Sequence, residues 1–481
     1  MILNGYILGI GYAVICLLLS LVLYKFGLER KYTRKVVHIL VGFEWVILYK
    51  YMSAGIHFLT VCILFLILLT VAYKGRLMPM ISSDDDNAPG TVYYAVAMTG
   101  VAIVGCFVPE IMLPFGIGVM CTSVGDGFAG VIGQLVKTHN PKIYGQKTIV
   151  GFLTNFVASA VSAFVISTVF SMHLGVFECF AIGLLSASLE LITPYGFDNI
   201  SITWCATALA YFFMYFDGVY AYILPILITP LIIVFAVEKK ALTRGGIASA
   251  IVLDIVVSFA FGNRGFIILS AFFIGSVIID KIKNRYKKQS RNNESLKTDC
   301  RDYMQVFANG LVAFASAVAF LLTDNILFFI PFVASMAEAF SDTVASGMGT
   351  FASVTYDPFR MRKCDNGISG GMSVIGTVSS LLASVIISFI AYFLNVDGYG
   401  INEFIVVAIS GFAGAVFDSF LGSLLQVKYQ CHVCGEITER EEHCDTSTVK
   451  YSGVAIIDND VVNMISCAFS AILATIILIF V

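Results

Sequence analysis

The sequence predicts an all-α polytopic membrane protein with about 16 apolar helical segments in two tandem helical-bundle modules. Of its 481 residues, 58% are hydrophobic and only 13% charged. Its mean hydropathy is +0.88, far from that of a soluble globular domain. Uncharged stretches near the roughly 20 residues that a helix needs to cross a bilayer recur along the whole chain.

The apolar segments run over 2–24, 36–52, 56–73, 91–108, 109–124, 149–170, 175–192, 200–216, 219–237, 247–261, 264–280, 303–322, 325–341, 369–394, 402–427 and 456–481. The first is too long for a secretory signal and lacks a basic leader and a small-residue cleavage site, so it reads as a retained helix. If every segment spans, alternate loops share a side, and one set of them holds 27 of the 29 Lys and Arg. Only Lys50 and Arg264 fall on the other side. The positive-inside rule then puts the charged loops in the cytoplasm and both termini outside. A net charge of -3 with no long basic stripe argues against a nucleic-acid partner and leaves the lipid bilayer as the contact. Motif style changes near residue 240, which divides the chain into modules 1–237 and 238–481. The longest basic linker, Lys281 to Arg301, reads as polar and flexible.

In the first module Arg34, Lys35 and His38 open a spanning segment, with Arg34 and His38 on one helical face. A phosphate could sit there, although taken alone the motif more often serves the ordinary basic anchoring of a helix end. Gly125-Asp126-Gly127-Phe-Ala-Gly130-Val-Ile-Gly133 sets one acid among small residues, where a nucleotide can approach the backbone and the acid can hold Mg²⁺. Close helix packing is the other use of such glycines. Lys147, Thr148 and Gly151 follow, in a pattern that is not a Walker A loop. Then come Glu190 and the pair Asp198-Asn199; carboxylates at membrane depth are costly and usually functional. The run Asp84-Asp85-Asp86-Asn87 could bind a divalent ion, although adjacent acids more often make a solvated loop.

Over residues 25–235 this order of motifs resembles the integral-membrane lipid-alcohol kinases, the family of dolichol kinase and phytol kinase, distant relatives of phosphatidate cytidylyltransferases. One departure is Thr203, where a proline often follows the Asp-Asn pair. The resemblance implies phosphoryl transfer, typically from CTP, to the hydroxyl of an isoprenoid alcohol held in the membrane. It assigns Asp126 to Mg²⁺ and nucleotide, Lys147 and Arg34 to phosphates, and Glu190 or Asp198 to metal or to the role of base, with His38 as an alternative base.

The second module carries Arg244, then Gln305 and Asn309, then Asp342, Thr343 and Ser346, then Gly367, Gly370 and Gly371. Glycine and serine clusters beside one acid suit a phosphate cradle or tight packing. A faint internal echo links Asp126, Asp342 and Asp418, each followed by small residues. Residues 238–478 resemble a polytopic family that includes plant phytyl-phosphate kinase, departing from it at Gly347, where the family usually has an acid; Glu338 could compensate. In the cytoplasmic loop 428–455, Cys431, Cys434, His443 and Cys444 could close a tetrahedral Zn²⁺ site, or remain free thiols in a reducing cytosol.

The combined reading is a fused two-step kinase using CTP and Mg²⁺. The first module makes an isoprenoid monophosphate, and the second converts it to the diphosphate, with Asp342 and Asp418 as metal ligands. A lipid-phosphate or ion transporter is the rival of another class, since Glu190, Asp254, Glu338, Asp342 and Asp418 would also suit a polar pathway. A cytidylyltransferase making a CDP-lipid is a third.

Overall fold

A computed structural model describes residues 2–52, 55–75, 90–136, 140–193, 196–290, 300–364, 369–435, 437–439, 441–444 and 446–480. The Asp84–Asn87 run and Gly367 lie outside the described residues. The chain divides into two compact units, Met1–Phe235 and Ala236–Val481.

The N-terminal unit is built from α1 (Ile2–Lys25), α2 (Arg30–Gly42), α3 (Glu44–Met52), α4 (Ile56–Lys74), α5 (Gly90–Phe107), α6 (Met112–Met120), α7 (Gly127–Leu135), α8 (Ile149–Val169), α9 (Val176–Ile192), α10 (Asp198–Tyr215) and α11 (Ile223–Glu238), whose last turn crosses the boundary. A π-helical turn over Cys121–Asp126 joins α6 to α7. The resulting run, Pro109–Leu135, is the unit's central helix, 72% buried, against 22% for α1 and α4 at the periphery. Helices in lipid gain little from the hydrophobic effect against one another, so association rests on close packing. Trp45 is fully buried, stacks on Tyr49 at 5.1 Å and donates its indole N–H to the Met112 carbonyl. Its ring lies over Gly116, where an added Cβ would come within 2.4 Å. Gly116→Ala would therefore force α3 and α6 apart.

The C-terminal unit comprises α12 (Arg244–Ser290), α13 (Tyr303–Thr323), α14 (Phe329–Gly349), α15 (Val374–Phe393), α16 (Ile401–Leu424) and α17 (Asn459–Phe480). Here α14 is central, 67% buried in its span. Phe261, Phe329 and Phe332 form an aromatic cluster with centroids 5.0–5.7 Å apart.

Among the described residues 12 helices are long and apolar enough to cross a membrane, and the protein is an all-α polytopic membrane protein. The count differs from sixteen for identifiable reasons. One of the twelve, Arg244–Arg285, covers two apolar segments and bends at Gly262, where φ is +58°. The segment 36–52 breaks after Gly42 into α2 and α3, α9, at 17 residues, falls just short, and α10, which opens with Asp198 and Asn199, is not apolar enough. The linker from Lys281 is also helical as far as Ser290, because its Lys, Arg and Gln residues are good helix formers that continue α12. Short antiparallel hairpins over Lys142–Thr148 and Thr355–Cys364 carry no periodic signal in the sequence.

Candidate functional site

In the N-terminal unit, α1, α2, α4, α5, α7, α8 and the ends of α9 and α10 surround a cavity of about 710 Å³. One end is polar, lined by Arg34, Lys35, His38, Asp126, Lys147, Glu190, Asp198 and Asn199. The other is apolar, walled by Ala13, Leu17, Phe65, Leu68 and Leu69. Leu68, in the apolar wall, is 48% exposed.

Two ion pairs organise the polar end. Lys35 extends from α2 to Asp126 at 2.7 Å, and its stem passes Gly130, where an added Cβ would lie 2.5 Å from Lys35 Cε. His38 lies one turn further along α2. Its Nε2 donates to the Thr122 carbonyl at 3.1 Å, since a carbonyl only accepts, and it sits 3.7 Å from Asp126 Oδ2. Thr122 in turn bonds Thr203 at 2.7 Å, tying the π turn to α10. In the second pair Lys147, at the end of the hairpin, reaches Glu190 at 2.7 Å and Asp198 at 3.7 Å. Burial alone would lower the pKa of Lys147. Glu190, then Asp198 and Asp126, reverse that and hold it above the usual lysine range, so the ammonium stays charged. Glu190 also accepts from Asn155 at 3.2 Å, and Ser159 supports Asn155 at 3.0 Å.

Thr148 caps α8 by accepting the Gly151 N–H at 3.2 Å, which fixes where the hairpin enters the helix. Asn199 donates to the carbonyls of Gly90 and Gly196, and its buried Oδ1 has no hydrogen-bond partner among the described residues. The flanking glycines divide by role. Gly125 and Gly127, expected beside a nucleotide, instead pack where an added Cβ would meet Ser159 at 2.1 Å and Ile39 at 2.4 Å, whereas Gly130, Gly133 and Gly151 line the cavity.

In the C-terminal unit Glu338 and Asp342 on α14 lie close enough to Asp418 on α16 for their charges to interact. Glu338 accepts a hydrogen bond from Cys467 of α17 at 2.8 Å. Other expected residues there have structural partners. Asn309 donates to the Gln305 carbonyl, Thr343 to the Ala339 carbonyl and Ser346 to the Thr343 carbonyl. Gly370, at φ +87°, lets the chain pass against Ser423, with Gly371 next to it. Arg244 begins α12, whose first turn is capped by Thr243 through the Gly246 N–H.

In the loop after α16, the sulfurs of Cys431, Cys434 and Cys444 lie within 4.8 Å of one another. Gly435, at φ +75°, donates its N–H to the Cys431 carbonyl at 2.9 Å, closing the turn that brings the first two thiols together. A hydrogen bond with Cys434 pushes the Cys444 thiol up to about 11. The His443 side chain lies outside the described residues.

Asn155, Ser159, Thr122 and Cys467 escaped the motif reading because each lies in an apolar stretch outside the motifs. A signal was present for two of them: Thr148, Gly151, Asn155 and Ser159 recur at helical spacing and make one small or polar stripe on α8.

Comparison with known proteins identifies relatives on this scaffold. The family described as integral membrane protein DUF92 matches residues 227–471. An uncharacterised membrane protein of Methanocaldococcus jannaschii is 25% identical over 197 residues, 40% of this chain and 77% of that protein. A phytol kinase of Synechocystis is 26% identical over 185 residues, 35% of this chain and 74% of the kinase. Protein VTE6, chloroplastic, of Arabidopsis thaliana is 26% identical over 243 residues, 48% of this chain and 64% of that protein. No solved structure matches. With half of its length covered by the family match, the chain belongs to the integral membrane family DUF92.

Proposed function

We propose that the protein is a membrane-embedded kinase that phosphorylates an isoprenoid alcohol from CTP in its N-terminal unit, and that its C-terminal unit adds a second phosphate to give the diphosphate. The observation that carries this reading is the two-ended cavity. Ammonium and carboxylate groups at one end suit a nucleotide's phosphates, and an apolar wall open to lipid suits a long hydrocarbon. The relative named phytol kinase supports it.

Phosphoryl transfer asks the protein mainly for positioning and charge neutralisation. Arg34, which makes no ion pair among the described residues, takes the terminal phosphates with Lys35 and Lys147. Asp126 and the unpartnered Asn199 Oδ1 are oxygen donors that fit Mg²⁺, which when bound would neutralise charge on the transferred phosphoryl group. Glu190 is held by Lys147 and Asn155 and acts as a positioning residue. Asp198 accepts the proton of the alcohol as its oxygen attacks the γ-phosphorus, the bond to the β-phosphate oxygen breaks and CDP leaves. The charged loops face the cytoplasm, where the nucleotide is, and both termini face away. Cys431, Cys434 and Cys444 hold a structural Zn²⁺ that pins the 428–455 loop.

The test supplies purified protein with Mg²⁺, labelled CTP or ATP, and phytol, geranylgeraniol, undecaprenol or diacylglycerol. Phosphate label in an isoprenoid lipid is expected. The CMP moiety recovered in the lipid would select a cytidylyltransferase instead, and no label in any lipid would overturn the kinase reading.

A further inference from the structure

The two units repeat one polar core. In each, the most buried span carries an acid, Asp126 or Asp342, followed at the same spacing by Ala129 and Gly133 or by Ala345 and Gly349. An antiparallel hairpin follows, and then a helix capped by a hydroxyl: Thr148 accepts from the Gly151 N–H at 3.2 Å, Ser373 from the Gly376 N–H at 3.1 Å. A Cβ at Gly151 would face the Ala129 carbonyl and Gly133 Cα; one at Gly376 would face the Ala345 carbonyl and Gly349 Cα. One turn before the acid, Thr122 bonds Thr203, and Glu338 bonds Cys467. Thr203 and Cys467 each follow an asparagine by one turn, Asn199 and Asn463. Glu190 and Asp418 correspond as well, each two turns after a glycine, Gly183 or Gly411, that packs on the preceding helix.

The charges do not repeat. The N-terminal core balances its carboxylates with Lys35 and Lys147. In the C-terminal core the residue before the cap is Met372 in place of a lysine, and Glu338 packs on α16, where a Cβ added at Gly414, one turn before Asp418, would lie 2.5 Å from Glu338 Cγ, with Asp342 one turn after Glu338 on α14. Lys283 is a cation whose charge reaches Asp342. Glu338 is 1% exposed and Ser466 fully buried. Glu338 Oε1 and Asp418 Oδ2 have no hydrogen-bond partner among the described residues, and the Ser466 hydroxyl lies beside Asp418. Clustered acids in a low-dielectric interior are unfavourable unless a cation balances them, and oxygen donors alone select hard divalent ions.

We propose that Glu338, Asp342 and Asp418, with the Ser466 hydroxyl, bind a hard divalent cation that fills in the C-terminal unit the electrostatic place of Lys35 and Lys147 in the N-terminal unit. The binding stands by itself; only its use in a second phosphorylation rests on the kinase reading.

Mn²⁺ is titrated without nucleotide into the full-length chain in lipid nanodiscs, and free Mn²⁺ is followed by electron paramagnetic resonance. The Asp126→Asn protein, which lacks a proposed Mg²⁺ ligand of the N-terminal unit, should still bind Mn²⁺, while adding Glu338→Gln or Asp418→Asn to it should weaken the remaining binding roughly tenfold or more. Thermal melting of the same samples is the second measurement: Mn²⁺ should raise the Tm of the Asp126→Asn protein and leave both of the C-terminal variants made in it unmoved. Asp126→Asn protein that neither binds Mn²⁺ nor is stabilised by it overturns the proposal, as does binding that both C-terminal variants made in it retain. Mn²⁺ binding without any diphosphate product would uphold the cation site and count against the kinase reading alone.

Discussion

Asp198 and Lys147 lie 3.7 Å apart at the polar end of the cavity but should respond differently to substitution. Asp198→Asn removes the proposed base while keeping the shape of the side chain, so turnover of the alcohol should fall about 10²-fold or more, with little change in the apparent KM for nucleotide. Lys147→Ala should first be a stability defect, because it leaves Glu190, whose side chain is 6% exposed, charged and without its cation. Breaking such a buried pair costs about 3 kcal/mol or more. The Tm in detergent should drop, and adding Glu190→Gln to Lys147→Ala should recover part of the loss. A double variant no more stable than the single would show that the pair does not carry this strain. At this scale the sequence spoke through charge. Asp126, Glu190 and Asp198 stood out because acids are scarce in apolar helices. Asn155 and Thr122 did not, because a single amide or hydroxyl in such a helix most often bonds its own backbone.

Among the elements, α4 offers the sharpest test of where the lipid lies. Leu69→Trp would fill the apolar half of the cavity without touching the ion pairs. Phosphorylation of long isoprenoid alcohols should fall several-fold or more, while affinity for nucleotide is kept; an unchanged rate with geranylgeraniol would place the hydrocarbon elsewhere. In the C-terminal loop, metal analysis of the purified chain should find about one zinc per molecule, lost in Cys434→Ser and retained in Cys205→Ser. Helices were legible from hydropathy almost throughout, since roughly 20 apolar residues have few other uses. Their ends were less so. The hairpin that delivers Lys147 is only seven residues long, and the bend at Gly262 depends on one backbone angle, so neither leaves a period in the sequence to read.

For the molecule as a whole, the division near residue 236 and the repeated core bear on how two chemical steps could share one chain. Asp342→Asn should let labelled monophosphate accumulate while Asp126→Asn abolishes labelling of the alcohol; full diphosphate from Asp342→Asn would remove the second step from the proposal. Sidedness has its own check. Cysteines introduced into the 25–35 and 238–246 loops should react with impermeant reagents only from the cytoplasmic face, and cysteines at the two termini only from the opposite one. The tandem character was legible in motif order, whereas the equivalence of Glu190 with Asp418 was hidden because the two acids differ in length and sit among unrelated apolar neighbours.

The apolar wall that opens beside Leu68 has a kinetic corollary. An enzyme whose substrate arrives sideways from the bilayer does not sense how much alcohol there is per litre, only its mole fraction among the surrounding lipids. Adding inert phospholipid at fixed alcohol should therefore slow the reaction by surface dilution, while adding buffer at fixed membrane composition should not. A tail that trails out through the wall is also never measured along its length, so alcohols of different chain length should compete chiefly through the hydroxyl end that they present to Asp198.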